Sequence, residues 1–110
     1  MEQFKVTLWN DGNTGWGIRV GHRYALKYFP MEKPIVHVNL DGNWIEINLN
    51  RYGRGTFWGT CPEFRNVAIR HWTENNGITK ENKTSVTGTM TKIGDGQWKL
   101  NLGVRGRLGT

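Results

Sequence analysis

The sequence predicts a mainly β domain of seven strands and two short helices. Three observations carry this expectation. Short runs alternate apolar and polar residues, turn signals stand at Asp41-Gly42-Asn43 and Gly94-Asp95-Gly96, and the composition holds 15 Gly and six Trp with no long apolar run. A chain of 110 residues has room for one domain, burying about 65% of its unfolded surface at this size.

The first strand is the alternation of Phe4, Val6 and Leu8 against Lys5, Thr7 and Trp9. Residues 10–15 are polar or flexible and include two glycines, so they read as a loop able to approach another surface closely. Trp16, Ile18 and Val20 then face one way and Gly17 and Arg19 the other, until Gly21 turns the chain. Tyr24, Ala25, Leu26 and Tyr28 give two turns of helix. Pro30 stops it, because the residue before a proline is pushed out of helical geometry.

The next strand, residues 34–40, sets Val36, Val38 and Leu40 against Ile35, His37 and Asn39. Asp41 to Asn43 is a hairpin turn, and residues 44–50 return with Ile45, Ile47 and Leu49 inward. Residues 50–55 are a second flexible connection, cationic this time, followed by a short strand over residues 56–60. Thr60 to Glu63 matches a capping box with Pro62 in the first turn, which starts the second helix at Thr60. Phe64, Val67 or Ala68, and Trp72 recur along it at helical spacing, and Asn75-Asn76-Gly77 ends it. Residues 78–83 read as polar loop, and residues 84–93 and 97–102 as a last hairpin. The domain spans residues 1–103. Residues 104–110 form a basic, glycine-rich tail expected to lead to a further domain.

The net charge of +6 is unevenly spread. Residues 16–28, 51–70 and 97–110 carry +3 each, and the remainder sums to −3. Basic patches of this kind point to an anionic partner. No run approaches the roughly 18 apolar residues of a membrane span, and the first residues include charges, unlike a signal peptide. The single Cys61 excludes an internal disulfide and suits a reducing compartment, so a cytoplasmic protein away from membranes is expected. His22, His37 and His71 stand on different elements without a partner at ligand spacing. Asp41 precedes Glu46-Ile47-Asn48, which lacks the lysine of a metal-dependent nuclease motif, and Cys61 has no base beside it. No catalytic residue, metal or cofactor is therefore expected in this domain.

Residues 18–30 resemble the L-x-I-P-K-x-x-A-E-x-x-F-P signature of B3-type DNA-binding domains. Ile18, Val20, Ala25 and the Phe29-Pro30 pair fall in register, while Gly21 replaces the usual proline and Leu26 the frequent glutamate. The resemblance covers roughly residues 4–102. It implies a seven-stranded open pseudobarrel with a helix at each end, and two loops that grip the major groove of double-stranded DNA. In this chain those loops are residues 10–15 and 50–55.

Arginine can pair with guanine O6 and N7, and asparagine with adenine N6 and N7. Asn10, Asn13, Asn50, Arg51 and Arg54 thus carry suitable chemistry, and Asp11 could accept from a cytosine amino group. Thr14, Tyr52 and Thr56 complete the loop candidates. By the resemblance, Arg19 and Arg54 fall where base or phosphate contacts are often made. Arg23, Lys27, Lys80 and Lys83 are candidates for phosphate positioning. Among B3-like proteins the chain is similar to the recognition, or effector, domain of restriction endonucleases of the EcoRII type. That likeness implies a short CCWGG-like site and a separate C-terminal nuclease domain, to which any Mg2+ would belong. Two other readings stand beside it. Exposed Trp9, Trp58 and Tyr52 would suit a single-stranded nucleic-acid binder. A carbohydrate-binding module would use exposed Trp and Asn, against which the +6 charge argues.

Overall fold

Period-2 alternation dominates the molecule, as the sequence predicts, and the strands it forms build one sheet. The computed structural model describes residues 2–10, 16–50, 57–59, 62–78 and 86–104. Its strands are β1 (Gln3–Asn10), β2 (Trp16–Arg19), β3 (Ile35–Leu40), β4 (Asn43–Asn48), β5 (Glu63–Arg65), β6 (Val86–Gly94) and β7 (Gln97–Val104). Helix α1 (His22–Tyr28) follows β2, and α2 (Val67–Asn75) follows β5. The seven strands lie in the order β4-β3-β7-β6-β1-β2-β5, antiparallel throughout except for β3 against β7. The sheet curls into a nearly closed, barrel-like form. Its two edge strands approach each other where the Asn66 side-chain amide reaches the Glu46 carbonyl at 3.5 Å.

The inward residues of each strand meet inside. Phe4, Val6 and Leu8 of β1 are buried with Ile18, Val36, Val38, Leu40, Ile47, Met90, Trp98 and Leu100. Aromatic rings fill one end. Phe29 lies 5.4 Å from Phe57, 5.4 Å from Phe64 and 5.1 Å from Trp98, centroid to centroid. Large rings packed edge to face supply much burial for few residues, which suits a domain of this size.

Local chemistry fixes the turns. Asp41 (φ 53°) and Gly42 (φ 97°) both adopt the left-handed region that a two-residue hairpin loop requires. The Asn39 side chain accepts from the Gly42 amide at 2.7 Å, and the Asp41 carboxylate accepts from the Trp72 indole at 2.7 Å, pinning this turn to α2. Helix α1 starts at Gly21, whose carbonyl accepts from the amides of Tyr24 and Ala25. Phe29 is extended (φ −127°, ψ 90°), the geometry Pro30 imposes on it.

The second helix departs from the sequence expectation. Residues 63–65, placed in the helix by the capping-box reading, form β5 and pair with Gly17, Ile18 and Arg19 of β2. Pairing to β2 and burial of Phe64 override the local motif, and the side chain of Asn66 caps the helix instead, accepting from the Ala68 amide at 2.8 Å. Phe57–Gly59, expected in a strand, make a turn. The end of α2 is as predicted: Gly77 (φ 74°) follows it, and the amides of Gly77 and Ile78 bond the carbonyls of Glu74 and Thr73. Ile78 itself is buried as the apolar lock of that motif, not part of a polar loop. Strand β7 runs through Val104, paired with Val86, so Val104 belongs to the sheet and not to the tail.

Candidate nucleic-acid interface

Strand β2 organises the candidate interface because described residues that flank the two loop segments meet its ends. Asn10 pairs with Trp16, so residues 11–15 leave from the start of β2. At the other end the Val20 amide donates to the Pro62 carbonyl at 2.8 Å. Just beyond, His22 Nε2 donates to the Trp58 carbonyl at 3.0 Å, and the Trp58 indole donates to the Phe29 carbonyl. Residues 57–59 are thereby clamped to both ends of α1, which sets where the chain emerges from residues 51–56. Trp16 and Val20, the two anchor residues, are four residues apart along the chain, about 13 Å at roughly 3.3 Å per residue.

Arg19 stands on β2 between the anchors. Its Nη2 and Nε donate to Glu63 Oε2 at 3.0 and 3.3 Å. The pair is asymmetric: Glu63 is 3% exposed and the Arg19 side chain 53%. A buried carboxylate thus orients a guanidinium that still faces solvent. Lys5 and Thr7 are also exposed, and Thr7 pairs directly with Arg19 across the β1–β2 ladder. The sheet surface beside the anchors therefore presents two cations and a hydroxyl.

Helix α1 adds a third and a fourth cation. Arg23 and Lys27 lie one turn apart on its exposed side. The Arg23 guanidinium sits 5.4 Å from the Tyr24 ring centroid and the Lys27 ammonium 5.1 Å from that of Tyr28. Both rings stack on Phe4, at 4.9 and 5.2 Å, so the core positions the platforms on which these cations rest.

Of the residues the sequence nominates, Arg19 adjoins the Val20–Pro62 contact, and Arg23 and Lys27 lie on α1, whose two ends hold Trp58 through His22 and Phe29. Asn50 is exposed, two residues past β4, and its amide donates to the Asn48 side chain at 2.9 Å. Asn10 is the last residue of β1. Asp11, Asn13, Thr14, Arg51, Tyr52, Arg54, Thr56, Lys80 and Lys83 lie outside the described residues. Lys5 escaped nomination although strand alternation had placed it outward. Trp58, suggested for stacking, is partly buried and hydrogen-bonded, and Trp44, outside that suggestion, is exposed on β4. His37 pairs with Glu46 across β3 and β4 at 3.4 Å. Among the described residues no three His, Cys, Asp or Glu side chains gather as metal ligands, and no helix is long and apolar enough to cross a membrane. The chain matches no protein-family model, no curated protein and no solved structure.

Proposed function

We propose that this domain binds double-stranded DNA in a sequence-specific manner, as a B3-like recognition module. The observation that carries the reading is the arrangement around β2. Described residues that flank the two segments rich in Gly, Asn and Arg meet its two ends, Asn10 at Trp16 and Pro62 at Val20, with the half-exposed Arg19 on the strand and Arg23 and Lys27 on the helix that follows it. The spacing of the anchors, about 13 Å along the chain, suits a major groove about 12 Å wide. In this reading residues 10–15 and 50–55 meet base edges, while Arg23 and Lys27 hold phosphates and fix register. The parent protein would be a restriction endonuclease of the EcoRII type with a CCWGG-like site. Its cutting chemistry, with any Mg2+, would reside in a separate nuclease domain.

Selection of bound duplexes from a randomised pool, with the winner measured at two salt concentrations, tests this. The expected result is a short recurring motif bound about a thousandfold or more tighter than random duplex. Binding with a steep salt slope and no motif would refute specific readout, and preference for single strands would refute the duplex reading.

A further inference from the structure

A crevice of about 160 Å³ opens beside α1, away from the β1–β2 loop anchor, and its lining brings together lysines from three elements. Lys27 comes from the end of α1, Lys33 from the segment before β3, and Lys92 from β6. Its apolar wall includes Tyr28, Phe29 and Trp98, the last two almost fully buried. Two carboxylates share the mouth: Lys33 Nζ lies 3.1 Å from Asp95 Oδ2, and Lys92 Nζ lies 3.6 Å from Glu2 Oε1.

Those acids are weak competitors for an incoming anion. The Asp95 side chain is 80% exposed and that of Glu2 52%, and exposed ion pairs of this kind contribute only about 0–1 kcal/mol. Either carboxylate can turn to water at little cost and leave its lysine to a ligand. Three ammonium groups then outnumber the charges of a phosphate monoester, which carries about −1.5 to −2 at neutral pH and three acceptor oxygens. The volume corresponds to about five waters, room for a phosphate group and the first atoms of its ester. The aromatic wall would cover the ester side while the lysines face the oxygens.

We infer that this crevice is a binding site for a phosphate monoester group. Two sources share that chemistry, a free mononucleotide and the terminal phosphate of a nucleic-acid strand. The site shares Lys27 with the proposed duplex interface, but Lys33 and Lys92 belong to the crevice alone and Arg19 takes no part in its lining.

The test is an NMR titration of the labelled full chain with inorganic phosphate, then with a 5′-mononucleotide against its nucleoside, and a 5′-phosphorylated oligonucleotide against its 5′-hydroxyl form. Saturable shifts at the amides of Lys33, Lys92 and Gly96 and at the Trp98 indole are expected, with a Kd of about 1 mM or tighter. The mononucleotide and oligonucleotide arms identify the source, and dependence on the phosphate in either one supports the site. Asp95→Asn should tighten binding severalfold by releasing Lys33, whereas Lys33→Ala combined with Lys92→Ala should weaken it at least tenfold. All three positions are on the surface, and the spectrum itself reports folding. Shifts that never saturate, equal binding of phosphorylated and unphosphorylated forms in both arms, or an Asp95→Asn variant that binds no better would overturn the inference. Arg19→Ala should leave these titrations unchanged, so failure here is distinguishable from failure of duplex binding.

Discussion

Arg19→Ala separates what this residue does for the fold from what it does for DNA. Both donors of Arg19 converge on one oxygen of Glu63, at 3.0 and 3.3 Å. Breaking a fully buried ion pair costs about 3–5 kcal/mol, and breaking an exposed one about 0.2–1 kcal/mol. Here only the carboxylate is buried, the guanidinium is half in solvent, and Arg19 is not the sole partner of Glu63. The loss should therefore fall between the two limits, about 1–2 kcal/mol by urea denaturation. Duplex affinity should fall separately, by about 1–3 kcal/mol if Arg19 contacts a base, which is roughly 5–150-fold in Kd. If it holds a phosphate instead, the log–log salt slope should flatten by about 0.9. Glu63→Gln in the same chain removes the buried charge that Arg19 no longer offsets, so part of the lost stability should return while DNA affinity, read by fluorescence anisotropy, stays low. A variant that loses stability but binds duplex like the parent would refute the interfacial role of Arg19. A double variant that recovers both would show that Arg19 acts only through the fold.

Four further outcomes follow from named contacts. Arg23→Ala with Lys27→Ala should weaken all duplexes alike and reduce the salt slope by about 1.8, because phosphate contacts carry no sequence information; a changed preferred site in pool selection would contradict this. Trp72→Phe removes the 2.7 Å donation to Asp41 and should cost about 1–2 kcal/mol in thermal unfolding. At Gly88 an added Cβ would stand 2.7 Å from Val6 Cγ2, so Gly88→Ala should destabilise by about 1–3 kcal/mol. Val6→Ala in the same chain should return part of it, as a urea double-mutant cycle would reveal. Asn66→Ala deletes the cap of α2 and should cost about 1 kcal/mol by the same assay, while Asn66→Asp should retain most of the stability.

The faces of β1, β3 and β4 were legible because alternation is a local property: Val36, Val38 and Leu40 are buried in the order the pattern requires. The hairpin at Asp41-Gly42 and the stop at Gly77 were legible for a similar reason, since positive φ selects the residues that tolerate it. The start of α2 was not. Thr60 to Glu63 carries a valid capping motif, but the competing ladder to β2 depends on a partner 44 residues earlier, which no local window contains. The candidate interface divides in the same way. Arg19, Arg23 and Lys27 announce themselves as a run of cations without acids, whereas the buried Glu63 that orients Arg19 was invisible. The meeting of Lys33 and Lys92 was equally hidden, because it arises only when β3 and β6 both flank β7.

The positions of the cations on β2 and α1 are consequences of the core, not of the surface around them. Arg23 and Lys27 rest on Tyr24 and Tyr28, and those rings stack on Phe4, whose neighbour is Trp98. The turn at Phe57–Gly59 reaches the same cluster twice, through the Phe57 ring on Phe29 and through the Trp58 indole on the Phe29 carbonyl. One aromatic assembly therefore sets both the basic helix and the turn at residues 57–59. Side chains in a close-packed interior hold their places far better than side chains on a loop. Under the proposed duplex reading, supports in that interior would hold the described residues that flank the two loop segments at a fixed spacing.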